Sequence, residues 1–209
     1  REKLDSLLLN KAMEEGAEVL KPFQVVSIEK NDKRWEVVEK NGKQLEAKAL
    51  VIADGSNSPW PEILGVGARK QNHAITTSVR LEGRGNIPLG TARFEFGLVH
   101  HGFAWAFPLR NEVNVGVGTF IGQNSADSNE ILEKLLPNLG FDPQAGKRQQ
   151  AALRIWNGHY KLHADGLLVV GDAASLCDPF LAEGLRPALM SGCEAAKSLN
   201  NWLSNETAR

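Results

Sequence analysis

The chain has 209 residues, of which 42% are hydrophobic and 23% are charged. This composition is typical of a globular protein and excludes disorder, a collagen-like repeat and a coiled coil as descriptions of the whole chain. The 24 lysines and arginines balance 25 aspartates and glutamates to a net charge of −1, so the chain carries no electrostatic footprint for nucleic acid.

Two cysteines and the hydropathy bear on the compartment of the protein. Cys177 and Cys193 are too few for a disulfide scaffold and lack the Cys-x-x-Cys spacing of a zinc or thiol redox site. No stretch of the sequence approaches the ~18 uncharged apolar residues of a membrane span. We therefore expect reduced thiols in a cytoplasmic protein, and we predict no metal site.

The first quarter of the chain predicts a helix followed by short strands. Leucines at helical spacing predict an amphipathic helix over residues 2–15, and Gly16 is its expected C-cap. Asn41-Gly42 predicts a hairpin turn, because both residues accept a positive φ. A polar turn over residues 54–58 and a short helix from Pro59 or Pro61 come next. The strands predicted in this part are 24–29, 35–39, 44–47 and 50–53.

The middle of the chain predicts a larger antiparallel sheet and one helix. Glycine, proline and asparagine clusters separate the strands. The helix is predicted over residues 127–136, with Ser125 or Asp127 as its N-cap and Pro137 as its stop. The strands predicted here are 75–82, 91–98, 102–107, 112–120 and 151–156.

The C-terminal third carries the residues most typical of a binding site. Residues 166–171 form a buried-strand run that delivers Asp172 to its carboxyl end, where ligands bind in open α/β sheets. Pro179 stiffens the loop that follows, and Gly184 lies where a helix over residues 183–204 begins, with first-turn amides free to donate. A carboxylate for polyol hydroxyls, next to a positive helix end for an electron-rich ring, indicates a reduced flavin.

These residues resemble a known cofactor motif. Gly171-Asp172, with Pro179 and Glu183-Gly184-Leu185, resembles the ribityl-binding motif of FAD-dependent oxidoreductases of the para-hydroxybenzoate hydroxylase superfamily. The resemblance implies that Asp172 binds the ribityl hydroxyls. It also implies that Pro179 and residues 183–185 lie at the isoalloxazine edge.

Two further segments resemble signatures of the same superfamily. Asp54-Gly55, within residues 51–58 after a buried strand, resembles its second signature. Arg1 at the head of the first helix resembles the arginine that touches the FAD phosphate, with Leu4 in place of the usual phenylalanine. The resemblance implies that Arg1, Asp54 and Gly55 contribute to FAD binding.

The middle sheet resembles one branch of the superfamily, the geranylgeranyl reductases, and their Tyr-x-Trp-x-Phe-Pro-x7-Gly-x-Gly pattern. Phe103 stands at the tyrosine position, and residues 178–180 and 186–192 are also more similar to this branch than to aromatic hydroxylases. Alternate residues on a strand share one face, so the aromatic residues form one wall, and glycines on the pairing strand leave room beside it. The resemblance implies substrate-binding roles for Phe103, Trp105, Phe107, Pro108, Gly116 and Gly118.

The Gly-x-Gly-x-x-Gly loop that cradles the FAD pyrophosphate is missing from the sequence. Gly116-Val117-Gly118 has no third glycine three residues on, and Gly83-Arg84-Gly85 runs into a turn. We expect the chain to be a C-terminal portion without the first βαβ unit, and we expect this portion alone to be inactive.

Together these observations predict a fold of the α/β plus α+β class, with a partial Rossmann-like FAD-binding domain that includes a β-meander. Residues 1–70 and 152–209 are predicted to form this domain, and residues 71–151 an antiparallel-sheet substrate domain. The resemblance implies FAD-dependent reduction of double bonds in a prenyl chain of an isoprenoid lipid, chlorophyll or quinone, with NADPH or another reductant as donor. It leaves the catalytic residue unknown and peripheral membrane contact open. The alternatives are a flavin-dependent monooxygenase or halogenase of the same superfamily, and a non-catalytic fragment.

Overall fold

A computed structural model describes residues 2–67, 72–119, 127–156, 158 and 160–207 of the chain. Within these residues the secondary structure is mixed, and the chain divides into two compact units, Arg1–Ala49 and Leu50–Arg209. The elements are α1 (Glu2–Glu14), β1 (Val25–Asn31), β2 (Arg34–Glu39), β3 (Gln44–Ala47), β4 (Leu50–Ile52), α2 (Trp60–Ile63), β5 (Asn72–Glu82), β6 (Arg93–Phe96), β7 (Gly102–Pro108), β8 (Glu112–Thr119), α3 (Ser128–Asn138), β9 (Gln149–Ile155), β10 (His163–Ala164), β11 (Leu167–Val169) and α4 (Leu185–Thr207).

The first unit contains α1 and a three-stranded antiparallel meander in the order β1-β2-β3. Gly16 ends α1 with φ at +96°. The amides of Gly16 and Ala17 donate to the carbonyl oxygens of Met13 and Ala12, at 3.0 and 2.9 Å, which is the paired hydrogen-bond pattern of a Schellman cap. The helix, its glycine cap and the β-meander predicted from the sequence are therefore confirmed.

The second unit contains a short mixed sheet in the order β10-β11-β4. β11 pairs with β4 in parallel, from Leu167 opposite Leu50 to Val169 opposite Ile52. The pairing continues one residue further, because the Val170 amide donates to the Ile52 carbonyl oxygen at 3.0 Å. Parallel strands end at the same edge of a sheet, so the segments that follow β4 and β11 emerge side by side.

The larger sheet of the second unit has five antiparallel strands in the order β6-β7-β8-β5-β9. One face packs against α3, where Val115 and Val117 of β8 and Leu132 and Leu136 of α3 are completely buried. Such a core supplies the apolar burial that stabilises a sheet with one helix-covered face. The other face is described with the candidate site below.

The end of α3 corrects one prediction. Asp127 caps the helix as expected, since its carboxylate accepts from the Asn129 amide at 2.8 Å. Pro137 does not stop the helix but lies inside its last turn. The stop comes from Gly140 at φ +83°, where the Phe141 amide donates to the Leu136 carbonyl oxygen at 3.0 Å and the Gly140 amide to that of Pro137 at 3.0 Å. The left-handed glycine, rather than the missing proline amide, sets this terminus.

Several strand ends also differ from the predictions. The strand predicted over residues 91–98 is shorter, at Arg93–Phe96, and Gly171 begins a 3-10 turn instead of ending a strand. The two-residue strand β10 is not among the strands predicted from the sequence. β9 runs through the predicted domain boundary at residue 151 and pairs with β5, and the division into flavin-binding and substrate domains stays a prediction. Among the helices of the described residues, none is long and apolar enough to cross a membrane.

Candidate functional site

The segment after β11 forms a tight turn that presents Asp172. Residues Gly171–Ala174 make one 3-10 turn, which Gly171 enters at φ +58°. The Gly171 amide donates to the Ser191 hydroxyl at 3.0 Å, and that hydroxyl donates to the Ala188 carbonyl oxygen at 3.1 Å. The turn is therefore fastened to α4, and Asp172 is held at the carboxyl edge of the parallel pair.

Glycine at position 184 allows the turn and the start of α4 to approach closely. A Cβ added to Gly184 would lie 3.1 Å from Oδ1 of Asp172, and one added to Gly171 would lie 3.3 Å from Cβ of Ala188. The structure thus brings Gly184 against the Gly171-Asp172 pair, which lies twelve residues earlier in the chain. A carboxylate beside the amino end of a 23-residue helix presents a strong acceptor next to a positive dipole end.

One backbone amide in the first turn of α4 already donates a hydrogen bond to a side chain of the same segment. The Arg186 amide donates to Oε1 of Glu183 at 2.8 Å, so the expectation that the first-turn amides are free is wrong for this residue. Pro187 has no amide to donate. Glu183 is therefore a capping residue of α4, and Leu185 is the first residue of the helix.

The loop between the turn and α4 is closed by Asp178. Its Oδ1 accepts from the amides of Phe180 and Leu181 at 2.9 and 2.7 Å. The Asp178 amide donates to the Glu183 carbonyl oxygen at 2.9 Å, and the Ala182 amide donates to the Asp178 carbonyl oxygen at 3.0 Å. Pro179 lies within this ring of hydrogen bonds and is exposed.

Replacing Asp178 with alanine should loosen this loop, because two amides lose a charged acceptor. We expect the free energy of unfolding to fall by about 1–3 kcal/mol, and proteolysis within residues 178–184 to become faster. Urea unfolding and limited proteolysis with mass spectrometry measure the two effects. Asp178→Asn keeps the acceptor oxygen and should stay near wild type; equal losses in the alanine and asparagine variants would contradict this role.

The Asp54-Gly55 segment emerges beside the Asp172 turn, because β4 and β11 are parallel neighbours. Gly55 has φ at +88°, and its carbonyl oxygen accepts from the Ser58 amide at 3.1 Å. Ser58 is buried. The structure therefore places both predicted cofactor signatures at one sheet edge. Arg1 lies outside the described residues.

Arg154 lies beside the Asp54 segment of the candidate site and was not among the residues predicted from the sequence. It is only 6% exposed on β9, and its Nη2 donates to the Ser58 carbonyl oxygen at 2.7 Å. Its Nε and Nη1 are buried and have no hydrogen-bond partner among the residues that the structure describes. Burial lowers the pKa of the Arg154 guanidinium, and the carboxylates of Asp54 and Glu62 raise it in part. This arginine ties the large sheet to the Asp54 segment; the available signal was a lone arginine within an apolar strand.

Two cavities adjoin the Asp178 loop. The first, which we term the loop cavity, has a volume of about 850 Å³ and is lined by residues 176–181 and the first turns of α4. The second, the apolar cavity, has a volume of about 410 Å³ and lies between this loop and the open face of the large sheet. Leu181 and Glu183 line both cavities. The loop is therefore a shared wall between them.

The open face of the large sheet carries aromatic side chains on β6 and β7 and mostly small side chains on β8 and β5. Residues opposite one another in the strand register share this face. One row contains Phe96, Phe103, Gly118, Thr76 and Ala151, and the next contains Phe94, Trp105, Gly116, Ser78 and Gln149. Aromatic side chains on β6 and β7 rise beside small residues on β8 and β5, and the result is a concave apolar surface.

The predicted aromatic wall is present on this face. The Trp105 ring lies 6.1 Å from those of Phe103 and Phe107, and Phe94 packs edge-on against both phenylalanines. All four side chains line the apolar cavity. Pro108 ends β7 opposite Val113, and Gly118 lies opposite Phe103. The space beside Gly116 is filled by the Trp105 indole rather than left open.

Cys177 lines the loop cavity but is only 1% exposed. Burial, followed by the carboxylates of Asp172, Asp178 and Glu183, raises the pKa of the Cys177 thiol to about 12. Because the thiolate is the reactive form, this cysteine is expected to be inert at neutral pH.

We expect iodoacetamide at pH 8 to label Cys193, which is exposed, much faster than Cys177. The physical reason is twofold, since Cys177 is both buried and protonated. Peptide mass spectrometry of the native protein measures both rates, and unfolding in urea should make them equal. Equal labelling in the native state would contradict this environment for Cys177.

Known proteins are similar to nearly the whole length of this chain. The family model described as FAD dependent oxidoreductase matches residues 2–202. Digeranylgeranylglycerophospholipid reductase of Methanococcus vannielii is 28% identical over 96% of this chain, which spans 55% of that relative. The chain thus spans about half the length of this curated relative.

Solved structures resemble the chain in fold. A geranylgeranyl bacteriochlorophyll reductase-like protein from Thermoplasma acidophilum superposes with a TM-score of 0.83 at 22% identity, covering 99% of this chain and 55% of that one. The flavin-dependent halogenase CmlS superposes with a TM-score of 0.73 at 22% identity, covering 94% of this chain and 39% of that one.

Proposed function

Because the chain belongs to the FAD dependent oxidoreductase family, we propose that the whole protein uses FAD to reduce double bonds in a prenyl chain, such as a geranylgeranyl group. The observation that carries this proposal is an apolar cavity of about 410 Å³, one wall of which is formed by the loop after Asp172. A prenyl chain has no polar atoms to satisfy, so an aromatic cavity suits it. The similarity to a digeranylgeranylglycerophospholipid reductase supports the same substrate class.

The residues at the sheet edge fit a bound FAD. Glycine at position 184 leaves backbone exposed where a Cβ would crowd the Asp172 carboxylate, and this carboxylate is an acceptor for ribityl hydroxyls. Asp54 and Gly55 would hold the cofactor from the neighbouring strand. The proposed FAD-binding role of Arg1 rests on the sequence resemblance alone. The isoalloxazine edge would meet Pro179 and Glu183, which line the loop cavity, and the adjoining Gly184 and Leu185. Arg154, whose Nε and Nη1 have no partner within the described ranges, is bonded to this segment through the Ser58 carbonyl oxygen.

The residues of this chain would orient the prenyl chain and exclude water from the apolar cavity. The reduced flavin supplies a hydride when bound, and the protein contributes binding, orientation and electrostatics. The aromatic wall would hold the prenyl chain against the shared Leu181 and Glu183 wall. NADPH or another reductant would reduce the oxidised flavin again. The proposal assigns the cofactor to residues 1–70 and 152–209 and the substrate to residues 71–151.

A prenyl lipid has to be taken from a membrane, and the proposal includes peripheral membrane contact by a cytoplasmic protein. Its support is a patch beside the edge strand β6, where Leu89, Phe96 and Leu98 are 76%, 62% and 44% exposed. Phe94 of the same strand lines the apolar cavity. The patch would therefore lie at the entrance through which a lipid chain reaches the cavity.

A flavin-dependent monooxygenase or halogenase is the second candidate, favoured by the structural similarity to the halogenase CmlS. The same cofactor residues would serve it. A third reading keeps this chain by itself as a non-catalytic module, because no complete Gly-x-Gly-x-x-Gly loop occurs in it.

The deciding experiment compares anaerobic and aerobic turnover of the whole protein. We expect flavin absorption bands and, without oxygen, NADPH- or dithionite-dependent saturation of a geranylgeranyl lipid detected by mass spectrometry. Oxygen consumption coupled to hydroxylation or halogenation of an aromatic substrate would overturn the reductase proposal in favour of the second candidate. The 209-residue chain by itself is expected to purify without flavin colour. Absence of flavin bands from the whole protein would overturn the proposal that it binds FAD.

A further inference from the structure

Trp105 adopts a position that two neighbouring residues on β8 impose. Its indole Nε1 donates to Oδ1 of Asn114 at 2.7 Å, although the residue opposite Trp105 in the register is Gly116. The ring therefore leans diagonally across Gly116 to reach Asn114.

Gly116 is required for this position because the indole lies directly on its backbone. A Cβ there would come within 2.1 Å of Cζ2 and 2.4 Å of Cε2 of Trp105. These distances are far below a van der Waals contact, and the clash involves a rigid ring. Any side chain at position 116 would lift the indole away from the sheet and into the apolar cavity.

The position of the Trp105 indole, flat on the sheet or lifted from it, determines how much of the apolar cavity stays open. Trp105 is the largest side chain of the wall, and its ring lies nearly parallel to that of Phe107, at an interplanar angle of 24°. While Asn114 holds the indole down, the space above it stays open to an apolar chain. Without the hydrogen bond, the indole N–H must find another acceptor, and a ring that turns toward one occupies part of that space.

We propose that Asn114 is a specificity-determining residue that sets the usable length of the apolar cavity by holding the Trp105 indole flat over Gly116. The proposal rests on the proposed function, since it takes the occupant of the cavity to be a prenyl chain. Asn114 acts through Trp105 and needs no contact with the substrate, so it is a positioning residue.

The test measures binding without turnover in the FAD-loaded whole protein. The probes are geraniol, farnesol and geranylgeraniol, which lengthen by one isoprene unit at each step, and their affinities are obtained by displacement of a fluorescent apolar probe. In Asn114→Leu and Gly116→Ala, we expect geranylgeraniol to bind about tenfold more weakly while geraniol is unchanged, equal to leaving roughly two methylene groups unburied. Asn114→Asp keeps the acceptor and should retain the wild-type order.

A double-mutant cycle separates positioning from general damage. In a Trp105→Phe background there is no indole N–H, so Asn114→Leu should have no further effect on the length preference. The proposal is overturned if Asn114→Leu keeps the wild-type preference, or if its effect persists in the phenylalanine background. Where Asn114→Leu loses FAD, Asn114→Ala, which also removes the acceptor of the indole N–H, decides by the same criterion.

The outcome is distinguishable from failure of the proposed function. A whole protein that binds the alcohols in the expected order, yet saturates no prenyl bond, refutes the reductase proposal and supports the role of Asn114. A wild-type protein that binds all three alcohols equally overturns the role of Asn114, whatever reaction it catalyses.

Discussion

Replacing Asp172 with alanine is expected to weaken FAD binding by the whole protein about 10- to 100-fold while leaving its fold intact. The carboxylate lies at the carboxyl edge of the parallel pair, over Gly184 and beside the start of α4. Hydrogen bonds to a charged acceptor are worth about 1.5–3 kcal/mol, and a factor of ten in affinity corresponds to about 1.4 kcal/mol. Flavin fluorescence titration of the apoprotein gives the dissociation constant directly.

Two control variants make this result specific. Asp172→Asn keeps one acceptor oxygen without the charge and should lose less affinity than the alanine variant. Asp142→Ala removes a carboxylate that accepts from the Gln144 amide at 2.7 Å in the turn after α3, so it should cost stability but not flavin. If Asp172→Ala binds FAD as tightly as wild type, the ribityl role of this residue is wrong.

Local features of the fold were predictable because their causes are local. Gly16 could be read as a helix cap and Asn41-Gly42 as a hairpin turn, since each depends on the backbone freedom of one or two residues. The end of α3 was misplaced because two local signals, Pro137 and Gly140, competed and only packing decides between them. The strand β10 has two residues, too few to produce any periodic pattern.

The site was predictable only in part, because its geometry depends on pairing between distant segments. Asp54 and Asp172 could each be singled out at the end of an apolar run, but their adjacency comes from the parallel pairing of β4 with β11. The contacts of Arg154 and Asn114 were not predicted, because their partners lie far along the chain or across a strand. These partners are the Ser58 carbonyl oxygen and the Trp105 indole. Sequence spacing contains no signal for such contacts until the strand register is known.

Two glycine-to-alanine substitutions should change stability in opposite directions. Gly102 begins β7, and a Cβ there would lie 2.0 Å from the Gly118 carbonyl oxygen and 2.8 Å from Cγ2 of Val99. Backbone cannot yield as a flexible side chain does, so Gly102→Ala should destabilise the chain by about 3 kcal/mol. Gly192 lies inside α4, and outside the helix's own backbone no atom of the described residues lies within 4 Å of the added methyl. Gly192→Ala should therefore stabilise the helix by about 1 kcal/mol.

Urea unfolding of the 209-residue chain measures both changes in the free energy of unfolding, and the two variants serve as controls for each other. Gly102→Ala should also affect the site. The alanine would strain the pairing of residue 102 with Thr119, which lies next to Phe103 and Gly118 on the open face of the sheet. Gly102→Ala should therefore weaken apolar-probe binding, whereas Gly192→Ala should leave it unchanged. A neutral or stabilising Gly102→Ala would show that β7 and β8 can separate without cost, which contradicts a rigid sheet under the apolar cavity.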